Sequence, residues 1–476
     1  MPSALVAGLV AGFVALASVA AAADCPADAY ALWSAGILRG ANVFQGRNPG
    51  GATNGIGDGD FAQSDFDDLA AAGANYVQLS HAGLFAEAPP YALDAAAQAN
   101  LDRVVAMAGA ANLYAVIAFR SGPGRNENAI SNREAGVKES IWTDPAAQAA
   151  WVDMLRHTAE RYGANPTVIG YSIMVEPNAY ARRGYVDPPQ FYAQYGNTLE
   201  DVNGLYTAAI AAIRQVDPET PILLEPEGYG NVTWLPYVRP QADAHVVYTA
   251  HDYTPFDYTH QQVGGATYPG TYDVDGAATL VGAAFLGTYL QTLQTYVDTH
   301  GVPVALTEFG VHRNAPNAAQ YLADRIAVQD LLGSWAVWVW QPAGFIDPFN
   351  MHEPSPVLEV LKTAWSANCR RAAGGGGDGG GTGVAVVSGR ARKLRPNGKT
   401  GKALPKVTVT VGTATVTTRR KKPRGAFELE VASGTQRITA TRGRRGCRIG
   451  SADGPTTLDV TLAPDERRPL DVFCGR

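Results

Sequence analysis

Short apolar runs alternate with amphipathic segments between residues 39 and 366. Runs typical of buried strands occur at 39–46, 74–80, 113–120, 167–177, 221–227, 245–253, 302–310 and 333–342. The segments between them predict helices, for example 144–162, with Asp144 as the expected N-cap and Pro145 in the first turn, and 317–332. An open doubly wound sheet usually has fewer strands and a GxGxxG loop after the first, which this chain lacks. The pattern therefore predicts a closed (β/α)8 barrel.

A run of glycines, GGGGDGGGTG at 374–383, interrupts the pattern and predicts an interdomain linker. Net charge changes sign there. Residues 384–476 contain 20 Lys/Arg against 7 Asp/Glu, a net charge of +13, which leaves 18 against 37, or −19, for the residues before them. The predicted segments are a signal peptide at 1–23, a barrel domain at 24–370, a linker at 371–383 and a basic domain at 384–476.

The first 23 residues carry no charged side chain and end in small alanines before Asp24. This arrangement is typical of a secretory signal peptide cleaved near Ala23, and it predicts a secreted, extracellular protein. An uncleaved membrane anchor is the alternative, because about 20 apolar residues span a bilayer. No other segment is long and apolar enough to do so.

Four cysteines in an exported chain favour disulfides over a metal site. Three pairings are possible. Cys25 and Cys369 flank one long segment, and Cys447 and Cys474 both lie in the basic domain. The expected bonds are therefore Cys25–Cys369 and Cys447–Cys474.

Two glutamates end predicted strands in the same way. Glu176 follows the fourth strand in the sequence YSIMVEPN, and Glu308 ends the seventh in ALTEFG. The carboxyl ends of barrel strands meet at one mouth, so these side chains are expected to face each other. Paired carboxylates about 5 Å apart are the arrangement of retaining glycoside hydrolysis, in which one protonates the leaving oxygen and the other attacks the anomeric carbon.

With these motifs the chain resembles the clan A glycoside hydrolases, and among them family 5, over about residues 36–366. The resemblance implies that Glu176 is the acid/base and Glu308 the nucleophile. It also implies that His251 and Tyr253, in the motif HDY, follow strand six, with the tyrosine hydroxyl bonded to the nucleophile. Trp340, in VWVWQP, corresponds to the family's tryptophan floor for the sugar.

Three departures from the family pattern concern substrate contacts. Val175 precedes Glu176 where the family usually has asparagine, and Gln78, followed by Ser80 and His81, lies where an arginine usually ends strand two. Arg120 ends strand three where a histidine is usual, so the cationic group is expected on the neighbouring strand. The residues expected to bind substrate are Gln78, Arg120, Asn178, His251, Tyr253 and Trp340.

Other readings of these residues remain open. Glu176 is alternatively a structural partner of Arg120, and Glu225 and Glu227, which end strand five, are alternative acids or subsite contacts. Trp335 and Trp338 are expected in the core, on the same strand face as Trp340. The loop 253–260 is either a sugar-binding surface or ordinary packing. The segment 55–60, GIGDGD, weakly resembles a calcium loop, and the absence of a histidine cluster argues against zinc.

The basic domain contains short strand-like runs separated by turns. They predict a small β-sandwich that resembles the carboxypeptidase regulatory-like, transthyretin-like accessory domains of secreted enzymes. Its charge favours an anionic cell-surface polymer as partner, with a merely solvated basic face as the alternative. Nucleic acid is not expected, because stacking aromatics do not accompany the charge.

Together these features predict a secreted, monomeric, retaining β-glycosidase that needs no cofactor. Its expected substrate is a β-glucan or a β-mannan, as polysaccharide or oligosaccharide. The alternative is a catalytically silent carbohydrate-binding barrel, which Val175 and Gln78 make conceivable.

Overall fold

The computed structural model describes residues 24–46, 61–126, 139–184, 186–261, 264–371, 384–394, 400–411, 414–418, 426–432, 434–442, 445–449, 456–462 and 467–475. The chain forms two compact units, Met1–Gly376 and Gly377–Arg476. The predicted signal peptide, most of the predicted linker and the GIGDGD segment lie outside the described residues.

Eight strands of the first unit form a closed barrel in the order β1-β10-β9-β6-β5-β4-β3-β2, and each pairs in parallel with its neighbours. All eight coincide with runs predicted from sequence, so the predicted (β/α)8 fold is confirmed. The strands are β1 (Arg39–Gln45), β2 (Tyr76–His81), β3 (Tyr114–Phe119), β4 (Val168–Ser172), β5 (Ile222–Leu224), β6 (Val246–His251), β9 (Val304–Glu308) and β10 (Ser334–Val337).

Helices connect these strands and begin at the expected signals. The helix at 145–162 has Asp144 as its N-cap, whose carboxylate accepts the Ala146 N–H at 2.9 Å, and Pro145 in its first turn. The α-helices are α1 (Ala29–Ser34), α2 (Gln63–Ala72), α3 (Ala95–Ala110), α4 (Pro145–Tyr162), α5 (Pro188–Tyr195), α6 (Val202–Ile213), α7 (Phe256–Thr259), α8 (Ala283–Tyr289), α9 (Gln291–His300), α10 (Ala318–Leu332) and α11 (Pro356–Trp365). Short 3-10 helices occur at Ser140–Trp142, Ala179–Arg183 and Val232–Tyr237.

The amino ends of the barrel strands are closed by an apolar cluster. Trp33 of α1 is 1% exposed and packs edge-on against Tyr76, while its indole N–H donates to the Ile169 carbonyl at 2.9 Å. Its other members include Leu32 of α1, Leu38 just before β1, and Val116, Leu223, Val247 and Ala305 of the barrel strands. The disulfide Cys25–Cys369 joins the two ends of this unit, as predicted.

A two-stranded antiparallel hairpin follows α7 and was not predicted from the sequence. Its strands are β7 (Gly270–Val274) and β8 (Ala277–Val281). Asp275 and Gly276 connect them with positive φ angles of 53° and 82°. An Asp-Gly pair between two strand-forming runs favours this kind of two-residue turn.

The second unit contains two β-sheets around its own apolar core, with mostly antiparallel pairing. The disulfide Cys447–Cys474 lies in this core, as predicted. Its strands are β11 (Val384–Leu394), β12 (Thr400–Ala403), β13 (Thr408–Val411), β14 (Ala414–Thr417), β15 (Ala426–Ala432), β16 (Gly434–Arg442), β17 (Arg445–Gly446), β18 (Arg448–Ile449), β19 (Thr457–Leu462), β20 (Arg467–Pro469) and β21 (Val472–Cys474). The predicted all-β architecture is confirmed. Over the described parts of both units, no helix has the length and apolar character needed to cross a membrane.

Candidate active site

The carboxyl ends of strands β4, β6 and β9 bring three predicted residues together. Glu176 lies just beyond β4, His251 ends β6 and Glu308 ends β9. One carboxylate oxygen of each glutamate and one ring nitrogen of the histidine all lie within 4.8 Å of one another. Because parallel strands end at the same edge of the barrel, residues distant in sequence meet here.

The backbone at Glu176 is held in an unusual conformation. Its φ angle is +54°, in the left-handed region that non-glycine residues seldom adopt. Arg125 donates to the carbonyls of Val175 and Glu176 at 2.5 and 2.6 Å, and the Glu225 carboxylate accepts the Glu176 N–H at 2.8 Å. These buried partners fix the direction in which the Glu176 side chain points.

Glu308 is surrounded by donors. The Tyr253 hydroxyl donates to Oε2 at 3.1 Å, His251 Nδ1 lies 3.5 Å from the same oxygen, and Arg120 Nη1 lies 3.6 Å from Oε1. Glu308 is only 3% exposed. Tyr253 therefore takes the position that the sequence resemblance implies, beside the second glutamate.

His251 lies between three carboxylates. Its Nδ1 is 3.0 Å from Glu176 Oε1, and its Nε2 is 3.4 Å from Glu225 Oε2. Burial lowers the pKa of His251, but the charges of Glu225 and Glu308 and the hydrogen bond to Glu176 outweigh burial and raise this pKa well above its ordinary value. The surrounding carboxylates accordingly favour the charged form of the imidazole.

The two glutamates differ in proton affinity. Burial raises the pKa of Glu176, but the hydrogen bond and charge of His251, with Arg120 and Arg125, outweigh burial, so this pKa is lowered. Burial raises the pKa of Glu308 to about 7, an effect that His251 opposes and the Glu176 charge reinforces. In the free site these directions favour a protonated Glu308 and an ionised Glu176, the reverse of what the roles implied by the sequence resemblance require, so a proton must leave Glu308 and one must reach Glu176 before the pair can act.

The model of the cellulase family, glycosyl hydrolase family 5, matches residues 41–344. The chain belongs to glycosyl hydrolase family 5. It is therefore a glycosidase, as the sequence resemblance predicted.

Curated relatives and solved structures are consistent with this family. A probable glucan 1,3-beta-glucosidase A of Aspergillus niger is 25% identical over 321 residues, which cover 59% of this chain and 70% of the relative. A protein of the same name from Aspergillus clavatus is 28% identical over 201 residues, 41% of this chain and 43% of the relative. The endoglucanase Cel5A of Thermotoga maritima has the same barrel fold, with a TM-score of 0.53, 19% identity and coverage of 70% of this chain and 99% of that one.

A cationic side chain lies at the end of β3, beside Glu308. Arg120, which follows β3, reaches Glu308, and its Nη1 also donates to the Ser80 hydroxyl on β2 at 3.2 Å. Gln78 lies two residues before Ser80, one layer deeper in the barrel, and is fully buried. Its placement does not support the predicted substrate contact, because alternation along β2 leaves Ser80 nearer the mouth.

The structure also corrects the tryptophan assignments. Trp340 is 2% exposed, its indole N–H donates to the Asp65 carbonyl at 2.8 Å, and its ring stacks on His352. It is a core residue. Trp338 is instead the partly exposed one, and the Arg120 guanidinium lies 5.2 Å from its ring centroid. The predicted alternation fails because Trp335 and Trp338 are three residues apart, which a two-residue period places on opposite faces, and because β10 ends at Val337, before Trp338.

The two glutamates after β5 have different contacts. Glu227 accepts the backbone N–H groups of Ala179 and Tyr180 at 2.9 and 3.3 Å, and burial raises its pKa to about 8. It organises the loop after Glu176. Glu225, in contrast, contacts Glu176 and His251 directly.

Asn178 is 4% exposed and its Oδ1 accepts from Arg125 Nη2 at 3.4 Å, so it helps to order the Glu176 loop. Sequence reasoning missed Arg125. The only available signal was a second arginine in the strand-three loop, five residues after Arg120.

The donor atoms of Glu176, His251 and Glu308 are of types that also bind divalent cations. A metal ligand histidine must be neutral at the ligating nitrogen. The three carboxylates around His251 favour its charged form instead, so the described contacts account for the cluster as a hydrogen-bonded ion network.

Proposed function

We propose that this family 5 enzyme is a retaining β-glucanase in which Glu176 is the acid/base and Glu308 is the nucleophile. The observation that carries the proposal is the separation of the two carboxylates, since one oxygen of Glu176 lies within 4.8 Å of one oxygen of Glu308. Retaining enzymes place their carboxyl groups about 5 Å apart, whereas inverting enzymes leave about 6.5–9.5 Å for a water molecule.

The contacts of the Glu308 carboxylate support its role as nucleophile. Tyr253 binds Oε2, while Oε1 has no hydrogen bond among the described residues and has only the Arg120 cation nearby. In the first step Oε1 forms a bond to the anomeric carbon, the glycosidic C–O bond breaks, and Glu176 transfers its proton to the departing oxygen. In the second step Glu176 takes a proton from water, which attacks the anomeric carbon and releases Glu308.

Two aromatic rings beside this pair, one partly exposed and one exposed, are suited to sugar binding. Trp338 forms part of the wall next to Arg120 and Phe44. Phe256 is 50% exposed and stacks on His260, whose ring lies 4.9 Å from that of Tyr253. Because flat apolar rings suit the faces of pyranoses, we assign Trp338 to the sugar at the cleaved bond and Phe256 to a neighbouring subsite.

The family and the curated relatives, whose names specify glucan, favour β-glucan over β-mannan. Crystal structures of Thermotoga maritima Cel5A contain cellobiose and mannotriose, so mannan is the second substrate to be tested. The test measures sugar release from β-1,3-glucan, β-1,4-glucan, mannan, xylan and aryl β-glycosides, with anomer composition followed by NMR. Release of the β-anomer first from a β-glucan is expected. Inversion would refute the retaining mechanism, and release from no substrate would favour a silent carbohydrate-binding barrel.

We further propose that the protein acts outside the cell as a monomer, a location supported by its two disulfides. The basic unit is proposed to hold it near anionic polymers. Exposed cationic side chains on this unit support that role, including Arg390, Lys402 and Arg442.

A further inference from the structure

Glu225 is a buried carboxylate to which the proposed reaction gives no role. It is 1% exposed and lies directly after β5. One oxygen accepts the Glu176 N–H at 2.8 Å and lies 3.4 Å from His251 Nε2. The other oxygen accepts from the Ser172 hydroxyl at 3.3 Å. It therefore contacts the backbone of one predicted catalytic residue and the imidazole that bridges both.

Charge balance makes the contact with His251 significant. Among the described residues, His251 is the one cationic group found within ion-pair distance of Glu225. A buried carboxylate without a cation is strongly destabilising, so folding favours a proton on His251 Nε2. Gly230 packs against both groups: a Cβ at this position would lie 3.1 Å from the His251 ring and 3.3 Å from the Glu225 carboxylate. The pair is closely enclosed.

We propose that Glu225 is a positioning residue that keeps a proton on His251 Nε2, so that the Nδ1 proton is the one shared with Glu176. The inference rests on the proposed function, because it explains how Glu176 acquires the proton that it must donate. Because the Glu225 charge, 3.4 Å from Nε2 and without a hydrogen bond to it, favours a proton there, His251 acts as the proton store for the acid/base.

The proton step balances within the site. Before substrate binds, His251 is an imidazolium with Nδ1–H directed at the Glu176 carboxylate 3.0 Å away. A substrate that displaces water disfavours this ion pair, so the proton moves from Nδ1 to Glu176 Oε1 and leaves a neutral imidazole with its proton on Nε2. Glu176 then protonates the leaving group. When Glu176 later takes a proton from water, the proton can return to Nδ1.

Charged groups on four elements act on this imidazole or on its partners. Glu176 follows β4, Glu225 follows β5, and Glu308 ends β9. Arg120 and Arg125, both after β3, act on the Glu176 carboxylate. Removing the charge of Glu225 leaves the other groups in place, so its effect on His251 can be measured separately.

The decisive experiment is ¹⁵N NMR of histidine-labelled full-length protein, with the His251 signals assigned by comparison with His251→Asn. In the wild type we expect an imidazolium at pH 8, and in Glu225→Gln a neutral ring at the same pH. A neutral His251 in the wild type at pH 7 would overturn the proposal without any variant. This measurement needs no substrate, so it remains valid if no glycan is cleaved and the proposed function fails.

A second experiment measures how kcat/KM depends on pH, with the glycan that the wild type cleaves best as substrate. Loss of a carboxylate near the imidazole lowers its pKa, because a negative charge no longer favours the protonated ring. We expect Glu225→Gln to move the alkaline limb of this pH profile to lower pH by about one unit or more. Glu225→Asp keeps the charge and should reverse most of that shift. A uniformly lower profile with both limbs unmoved would show a packing role only.

Glu227→Gln is the matched control. This residue is also a buried glutamate after β5, yet its described hydrogen bonds are to backbone N–H groups, those of Ala179 and Tyr180 in the Glu176 loop and that of the adjacent Gly228. We expect a change in Tm without a change in the His251 signals. If Glu227→Gln moved these signals as much as Glu225→Gln does, the effect would not be specific to Glu225 and the proposal would be wrong.

Discussion

The two ends of the barrel differ in how they use buried residues. At the amino ends of the strands, Trp33 and Tyr76 pack in an apolar cluster. At the carboxyl ends, His251 and Glu308 are almost as buried and Glu176 is partly buried, but all three carry ionisable groups in mutual contact. The same strands thus begin in a region that stabilises the fold and end in one that concentrates charge at a cost in stability. Stability and activity should therefore respond separately to substitutions at the two ends.

The largest effect is expected at the mouth, on activity. Glu176→Ala should lower the rate on a natural glycan by about 10²–10⁴, because the sugar alkoxide cannot leave without a proton. An activated aryl glycoside should form the glycosyl-enzyme at a much less reduced rate, since its leaving group needs none. Breakdown would then be slow, and azide should accelerate it and give a glycosyl azide of retained configuration.

Glu308→Ala separates the two roles. Without the nucleophile no covalent intermediate forms, and azide should give the inverted product if it restores any turnover. Mass spectrometry of trapped intermediate and NMR of the azide products measure both outcomes. Exchanged stereochemistry between the two variants would mean that the roles are reversed, and full activity of either on a natural glycan would exclude that glutamate from the mechanism.

At the opposite end the effect should fall on stability. Trp33→Ala removes a fully enclosed ring and the hydrogen bond to Ile169, and should reduce the free energy of unfolding by about 3–5 kcal/mol. The kcat of the folded fraction should stay near that of the wild type. Leu331→Ala, at an 82% exposed position, is the control and should change stability by less than about 0.5 kcal/mol. Denaturant unfolding measures both, and an unchanged unfolding energy in Trp33→Ala would contradict the assignment.

The fold could be predicted from sequence because apolar periodicity is a local signal that barrel packing reinforces. All eight strands and the Asp144 cap follow that signal. The β7–β8 hairpin was missed although its turn residues, Asp275 and Gly276, are visible in the sequence. Strand-like runs there are short and largely exposed, so the burial pattern that identifies the other strands is weak.

Of the site residues, the sequence predicted those whose positions follow from the ends of the barrel strands, but not the others. Glu176, Glu308 and Tyr253 meet as expected because each position follows from barrel geometry. Trp338 and Trp340 were misassigned because nothing in the apolar pattern marks where β10 ends. The contact of Glu225 with His251 depends on side-chain packing across strands, which one sequence does not specify.

A medium effect is expected when the buried charge at the mouth is removed. The pKa of Glu308 is raised to about 7, so the folded state prefers its neutral form. Ionised Glu308 therefore reduces the free energy of unfolding. This loss of stability is absent below the ordinary glutamate pKa, grows as pH rises, and is complete above about pH 7. Glu308→Gln should therefore be as stable as the wild type near pH 4 and more stable at pH 8, by on the order of 1–3 kcal/mol. Thermal unfolding at the two pH values measures this difference, and a larger gain at pH 4 would show the sign to be wrong.

The smallest effect separates two tryptophans that lie two residues apart. Trp338 is partly exposed beside Arg120, whereas Trp340 is 2% exposed and bonded to the Asp65 carbonyl. If Trp338 holds a sugar ring, Trp338→Ala should lower kcat/KM by about 2–13-fold, corresponding to the 0.5–1.5 kcal/mol of an aromatic contact, with little change in Tm. Trp340→Ala should lower Tm and leave kcat/KM of the folded enzyme nearly unchanged. Trp338→Phe, which retains a flat ring, should recover most of the lost activity if stacking is the cause. The opposite pattern, with activity lost in Trp340→Ala and stability lost in Trp338→Ala, would assign the sugar-binding role to Trp340. Trp338 would then belong to the packed core although it lies beyond the end of β10.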